Sequence, residues 1–296
     1  MVDKNKNYLQ RAFNRKAANF SNVDFLHPIV RDELLERLSM FRLKPVQSLV
    51  LGGGGGELAT ALRGLYPNTN CVSINSSEAM SELAQQQGDV LCADMLELPL
   101  TDNSVDLIVS NLALQYGANA QGSLQSVLNE INRVLKPGGL LLTAFCGNGS
   151  FAELRQSCAR DNYEHFDALP DLHNAGDEML KAGFRDPVLD TELLTITYSS
   201  FDKLIHELRA LSATRQISRR RKGLGGKAYW QQTRLNYESQ RNVDDKLPVT
   251  IELVYAHARG GEAPKPAEPA EYSVPLSRLL GRGPRKMTTD DPTDED

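Results

Sequence analysis

The sequence predicts an α/β fold built on a doubly wound, mostly parallel sheet, and three observations carry that expectation. Residues 48–62, SLVLGGGGGELATAL, read as an apolar strand, a turn without side chains and the start of a helix. Further short apolar runs alternate with amphipathic stretches as far as residue 145. One of them, residues 106–110, is nearly all apolar, as a strand buried on both faces must be. Strand, helix, strand in this rhythm requires right-handed crossovers between parallel strands.

Taken in order, residues 7–42 read as helices. Leu9, Phe13, Ala17 and Phe20 form one apolar stripe, Ile29, Leu34, Leu35 and Leu38 another, and Pro45 closes this prelude. After the glycines, Leu58, Leu62 and Leu65 recur at helical spacing, and Pro67 ends that helix. Residues 71–74 form a second strand, and Asn75-Ser76-Ser77 is a polar break able to cap a helix over 78–87. Residues 90–92 are a third strand, closed by Ala93-Asp94; Cys71 and Cys92 are expected to be buried in these two strands as small hydrophobes. Residues 123–135 form an amphipathic helix stopped by Pro137-Gly138-Gly139, and 140–145 the fifth strand. Beyond it, 151–160, 176–182, 201–211 and 228–240 read as helices, and 193–198 and 249–256 as strands. From Gly260 onward the chain is rich in Pro, Ala and Glu and ends TTDDPTDED, a composition that cannot bury a core and reads as a disordered tail.

Composition narrows the class of function. A net charge of -5 over 296 residues argues against a general nucleic-acid binder. No apolar run approaches the ~20 residues needed to span a bilayer. The N-terminus lacks the apolar core of a secretory signal, although it is basic and acid-poor, as transit peptides are. The cysteines, Cys71, Cys92, Cys146 and Cys158, fit no zinc or redox spacing, so a reduced, cytoplasmic setting is expected and no metal is assigned.

The chemistry gathers where parallel strands end. Gly52, Gly54 and Gly56 give a G-x-G-x-G pattern, looser than the dinucleotide fingerprint, and no Gly-Lys-Ser or Gly-Lys-Thr follows, which excludes a P-loop. Ligands of open parallel sheets bind outside the carboxyl ends of the strands. Those ends carry the glycines, Asn75 and Ser76, Asp94 and Met95, and Asn111 and Leu112. A carboxylate at Asp94 can accept from an adenine amino group. Together these positions suit an adenosine-type cofactor.

With these residues in view, the sequence resembles the class I S-adenosylmethionine-dependent methyltransferases through SLVLGGGGGELA, VSINSSEAM, ADMLELPLTDNSVDLIVSNLALQY and LNEINRVLKPGGLLLTAF. The resemblance narrows to the BioC family, the malonyl-acyl-carrier-protein O-methyltransferases of biotin synthesis, through RAFNRKAANF, NLALQY, GSFAELRQS, ELRALSATR, GLGG and LPVTIELVYAHA. It implies a Rossmann-like fold with an antiparallel last strand and helical insertions in the N-terminal part and the C-terminal half. The implied organisation is a helical lid over 1–45, a cofactor-binding core over 46–147, substrate-side helices and last strands over 148–259, and the tail over 260–296. The implied reaction is methyl transfer from S-adenosylmethionine to the carboxylate of malonyl-acyl-carrier protein. Arg155 and Arg209 are candidates to hold the non-reacting oxygen, and Tyr116 to wall the cleft. The basic run Arg219, Arg220, Arg221 and Lys222 is a candidate dock for the acidic carrier protein.

Three positions depart from the family pattern. Val50 stands where an acid is usual in the first strand, Asn75 where an acid usually grips the ribose, and Phe20 where a tyrosine is usual. Losing a charge-assisted partner costs ~1.5–3 kcal/mol. Two other readings therefore stand beside the first: a related enzyme of the same fold acting on another substrate, such as the mitochondrial arginine hydroxylase of respiratory complex I assembly, and a degenerate fold kept as a binding module.

Overall fold

The computed structural model describes residues 4–52, 54–116, 124–158, 169–210 and 227–261. Seven strands form one sheet, in the order β3-β2-β1-β4-β5-β7-β6. They are β1 (Gln47–Leu51), β2 (Asn70–Asn75), β3 (Val90–Cys92), β4 (Val105–Asn111), β5 (Leu135–Cys146), β6 (Arg185–Tyr198) and β7 (Leu247–Arg259). β1 to β5 run parallel, and β7 is antiparallel to both of its neighbours. The helices are α1 (Lys4–Val23), α2 (Leu26–Ser39), α3 (Glu57–Leu65), α4 (Glu78–Gln85), α5 (Leu124–Val134), α6 (Ala152–Ser157), α7 (Leu172–Lys181), α8 (Phe201–Ala210) and α9 (Lys227–Glu238). Among the described residues no helix is long and apolar enough to cross a membrane.

Two apolar layers cover the sheet, because successive side chains of a strand leave on opposite faces. On one face Val50, Leu107, Val109, Leu140 and Leu142 meet Val30, Leu34 and Leu38 of α2 and Leu58 and Leu62 of α3. On the other, Leu49, Leu51, Ile108, Leu141 and Phe145 meet Val127, Leu128 and Ile131 of α5 and Met179 of α7. The amino end of β1 is fastened separately: Asp106 accepts from Gln47 N at 2.8 Å, Val46 N at 3.1 Å and Lys136 Nζ at 2.6 Å.

Several expectations are corrected. Cys92 is exposed, because β3 is the sheet's edge strand, whereas Cys71 on β2 is buried as expected. The buried stripe of α2 is Leu26, Val30, Leu34 and Leu38; Ile29 is 45% exposed, since helical periodicity from Leu26 rotates it outward. Leu65, in the last turn of α3, is also exposed. β6 begins at Arg185 rather than near Leu193, and its pattern is hidden because an outer strand leaves Val188 and Leu193 exposed. Pro137-Gly138-Gly139 does not separate helix from strand: β5 starts at Leu135, and the irregularity is absorbed between Val105 and Leu107 of β4. Gly138 N donates to Gly260 O and Gly260 N to Gly139 O, both at 2.8 Å, and Gly261 N donates to Asn132 Oδ1. The folded part thus continues two residues past the expected start of the tail, the rest of which lies outside the described residues. The side chain of Leu9 lies outside them as well.

Candidate functional site

β1 and β4 are neighbours although the chain leaves β1 toward β2 and β3, so strand order reverses between β1 and β4 and a crevice opens at their carboxyl ends. Gly52, Gly54 and Gly56 have φ of 67°, 62° and 102°. Gly52 N donates to Ile74 O at 3.1 Å and Gly54 N to Gly52 O at 2.8 Å, which folds the loop tightly off β1. A Cβ on Gly52 would stand 2.4 Å from Ala113 Cβ, so the loops after β1 and β4 touch with no room for a side chain. Gly56 then opens α3 as an N-cap with no side-chain capping bond.

The strand ends carry buried polar groups. Asn75, at the end of β2, is 8% exposed, and its Nδ2 has no hydrogen-bond partner among the described residues. Asn111, at the end of β4, donates Nδ2 to His27 O at 3.1 Å, while its Oδ1 has no partner among the described residues. Gln115 Oε1, on the helical turn 114–116, is likewise buried without one. Leu112 adopts φ 53°, a strained conformation for a branched side chain. Ser76 is half-buried in the turn before α4. Asp94 Oδ1 accepts from Leu96 N at 3.0 Å and its backbone bridges to Glu97, so it shapes the turn after β3; Met95 packs beneath, against the second core layer. A buried donor or acceptor left unmet costs ~1–3 kcal/mol, so such atoms gathered at one edge fit a polar ligand. Asn75 offers a donor and Asn111 and Gln115 acceptors to such a ligand.

α1 closes over this edge. Asn14 Oδ1 accepts from Ser77 Oγ at 2.5 Å and from Ala79 N at 3.3 Å, while Ser77 caps α4 by accepting from Met80 N. Phe20, Ala17 and Met80 form a small buried cluster. A Cβ on Gly54 would meet Phe20 Cε1 at 3.4 Å. Phe13 meets the Tyr116 ring edge-on at 5.2 Å between centroids. At the α1–α2 junction Asp24 Oδ1 accepts from His27 N at 3.1 Å and lies 2.8 Å from His27 Nδ1.

The structure therefore brings the glycines, Asn75, Ser76, Asn111, Leu112 and Tyr116 together with α1 at one end of the sheet, with Asp94 and Met95 at the end of the adjoining β3. Arg155 is half-buried on α6, its Nε donating to Ser150 O at 3.1 Å, and burial lowers its pKa. Arg209 stands on α8, and its side chain lies outside the described set, as do Arg219, Arg220, Arg221 and Lys222. Burial pushes Cys146, at the end of β5, up to about 12 and Cys71 up to about 11, so both thiols stay protonated at neutral pH and neither is a nucleophile. Sequence reasoning missed Asn14, Asp24, His27 and Gln115. Only Asp24 carried a local signal, as an acid three residues before His27 between two helical stripes, the spacing of a helix cap.

A family model described as a methyltransferase domain matches residues 49–143. The chain is 37% identical to malonyl-acyl-carrier-protein O-methyltransferase 1 of Coxiella burnetii, over 94% of this chain and 96% of that one. It is 34% identical to the malonyl-acyl-carrier-protein O-methyltransferase of a Methylovorus species (87% and 89% covered) and 31% identical to that of Legionella pneumophila (93% and 98%). Among solved structures it is similar in fold to the YcgJ protein of Bacillus subtilis, with TM-score 0.56, 15% identity and coverage of 78% of this chain and 99% of that one. It is also similar to the putative methyltransferase solved with the Haloferax volcanii Trm112 activator, with TM-score 0.53, 17% identity and coverage of 87% and 100%.

Proposed function

The chain belongs to the malonyl-acyl-carrier-protein O-methyltransferase family, and from that premise we propose that it methylates the free carboxylate of malonyl-acyl-carrier protein, with S-adenosylmethionine as donor, early in biotin synthesis. The observation that carries this reading is the pair of buried amide atoms, Asn75 Nδ2 and Asn111 Oδ1, that have no partner among the described residues and end β2 and β4 of a methyltransferase-type sheet, with Gln115 on the turn that follows.

When bound, S-adenosylmethionine supplies a methyl group on a positively charged sulfur. The loop Gly52 to Gly56, Asn75, Asp94 and Asn111 would hold it, with Asn75 serving the ribose hydroxyls and Asp94 the adenine amino group. The acceptor needs no general base, since a carboxyl with reference pKa near ~4 is already ionised at neutral pH. The protein's work is alignment and exclusion of water. α1 supports the second task by laying Phe13 and Phe20 over the crevice, with Tyr116 as part of the wall. Arg155 or Arg209 would hold the non-reacting oxygen, as a planar guanidinium suits a carboxylate. Arg219, Arg220, Arg221 and Lys222 would attract the acidic carrier. Replacing all four by Ser is expected to raise KM for the carrier substrate at low salt and to leave it unchanged at high salt. A cytoplasmic setting is part of the same proposal, supported by four cysteines that fit no zinc or redox spacing.

Calorimetric titration with S-adenosylmethionine and S-adenosylhomocysteine tests the reading. One-site saturable binding is expected, followed by a one-methyl mass gain on malonyl-acyl-carrier protein and restored growth of a biotin-requiring strain that lacks this step. Asn75→Asp is expected to tighten binding about tenfold, the gap between a neutral and a charge-assisted hydrogen bond. Absence of heat and of any melting shift in well-folded protein would overturn the reading and leave a non-catalytic binding module.

A further inference from the structure

We propose that Asp24 supplies the carboxylate that the first strand lacks: its Oδ2 receives the α-ammonium group at the amino-acid end of the cofactor, and His27 is the positioning residue that holds it there. The inference rests on the methyltransferase reading above. S-adenosylmethionine carries an ammonium group that is charged at neutral pH, and a cation taken into a covered crevice needs an anionic partner. β1 offers none, because Val50 is wholly buried in the apolar layer with Leu58 and Leu62.

Among the described residues, two carboxylates reach the glycine loop. Asp24 Oδ2 lies 4.0 Å from the position of a Cβ on Gly54. Glu57 Oε1 lies 2.8 Å from that position on Gly55. Their settings differ. The Asp24 side chain is only 10% exposed, and its other oxygen, Oδ1, is held twice by His27, through the backbone N and through Nδ1. His27 is itself fixed on two sides. Its ring meets Phe20 edge-on at 5.3 Å, and its carbonyl accepts from Asn111 Nδ2 at the end of β4. With Oδ1 committed to His27, Oδ2 is the Asp24 oxygen turned toward the glycine loop; Glu57 Oε2 stands nearer the same position on Gly54, at 3.7 Å. The α1–α2 junction thus presents one pre-oriented carboxylate oxygen beside Gly54 of the loop after β1, anchored through His27 to the end of β4. Glu57 is exposed on the first turn of α3, where water screens its charge and its side chain must be ordered at an entropic cost.

The test compares three ligands by calorimetry on the full chain: S-adenosylmethionine, S-adenosylhomocysteine and 5′-methylthioadenosine, which keeps the nucleoside and sulfur but lacks the amino-acid end. Asp24→Asn is expected to weaken the first two by about ten- to a hundredfold, the range of a lost charge-assisted bond, and to leave 5′-methylthioadenosine within about twofold. His27→Ala is expected to show the same selectivity with a smaller loss, and His27→Gln, which can still donate to Asp24, to recover part of it. Undiminished binding of 5′-methylthioadenosine also shows that each variant is folded. Equal weakening of all three ligands, no change on Asp24→Asn, or the selective loss appearing instead on Glu57→Gln would each overturn the inference. If the wild-type chain binds none of the three, the methyltransferase reading fails and this inference with it. Homocysteine-nucleoside binding indifferent to Asp24→Asn refutes this inference alone.

Discussion

Gly52 shows how a single residue sets the geometry of the crevice. Its φ of 67° is a region L side chains enter at a cost of ~1–2 kcal/mol, and a Cβ there would overlap Ala113 Cβ at 2.4 Å. Overpacking adds ~1–3 kcal/mol. Gly52→Ala is therefore expected to lower unfolding free energy by about 2–5 kcal/mol in urea titration and to push the β1 and β4 loops apart. Cofactor affinity falls with it. A variant as stable as the parent would show that the loops do not touch in solution. That a glycine was needed here was legible from its place between strand and helix. That Ala113 is the residue demanding it was not, because 61 positions separate the two in sequence.

Among the elements, the turn after β3 depends on one arginine of α5. Arg133 donates to both oxygens of Glu130, to Leu98 O at 3.0 Å, to Leu100 O at 2.9 Å and to Asp102 Oδ1 at 2.6 Å. Glu130 in turn accepts from Leu98 N at 2.6 Å. The side-chain bonds to Glu130 and Asp102 raise the Arg133 pKa, so it is charged at every working pH. This clamp positions the segment that begins with Asp94 and Met95. Arg133→Met keeps the aliphatic stem and removes the donors, and is expected to cost about 1–3 kcal/mol, mainly from the two carbonyls and Glu130, since exposed Asp102 contributes little. Hydrogen exchange across residues 94–102 should speed up while α3 is unaffected; unchanged exchange would show that the clamp does not order the turn. The helical period of residues 123–135 was plain in the sequence, but the reach of Arg133 across to that turn was not.

At the scale of the molecule, His257 links pH to stability. It lies on β7 with its ring edge-on to Phe41 at 5.0 Å. Burial, then the charges of Arg259 and Arg37, lower its pKa below the usual 6.5, with Asp190 opposing. The folded chain thus protonates His257 at a lower pH than the unfolded chain, which takes up the proton as pH falls through ~6.5. Below that value the unfolded state binds more protons, so stability declines with falling pH until the folded pKa is reached. His257→Gln is expected to flatten the fall in melting temperature between pH 7.5 and 5.5; an unchanged slope would assign the dependence to other groups.

The sequence by itself determined the parallel core, the glycine turn after the first strand and the family. Those features are local: a period of two or of 3.6, a run of glycines or a strand's bounding polar residues can be read within a dozen positions. It misjudged Cys92, Ile29 and the length of β6, because burial there depends on which strand ends at the edge and which face a helix turns inward. Only the tertiary structure decided that α1 covers the crevice through Asn14, Phe13 and Phe20, and that Asp24, held by His27, stands beside Gly54. Such contacts join residues dozens of positions apart, and no local propensity specifies them. They form because a helix with one apolar face must bury it, and the place left for α1 is the open end of the sheet.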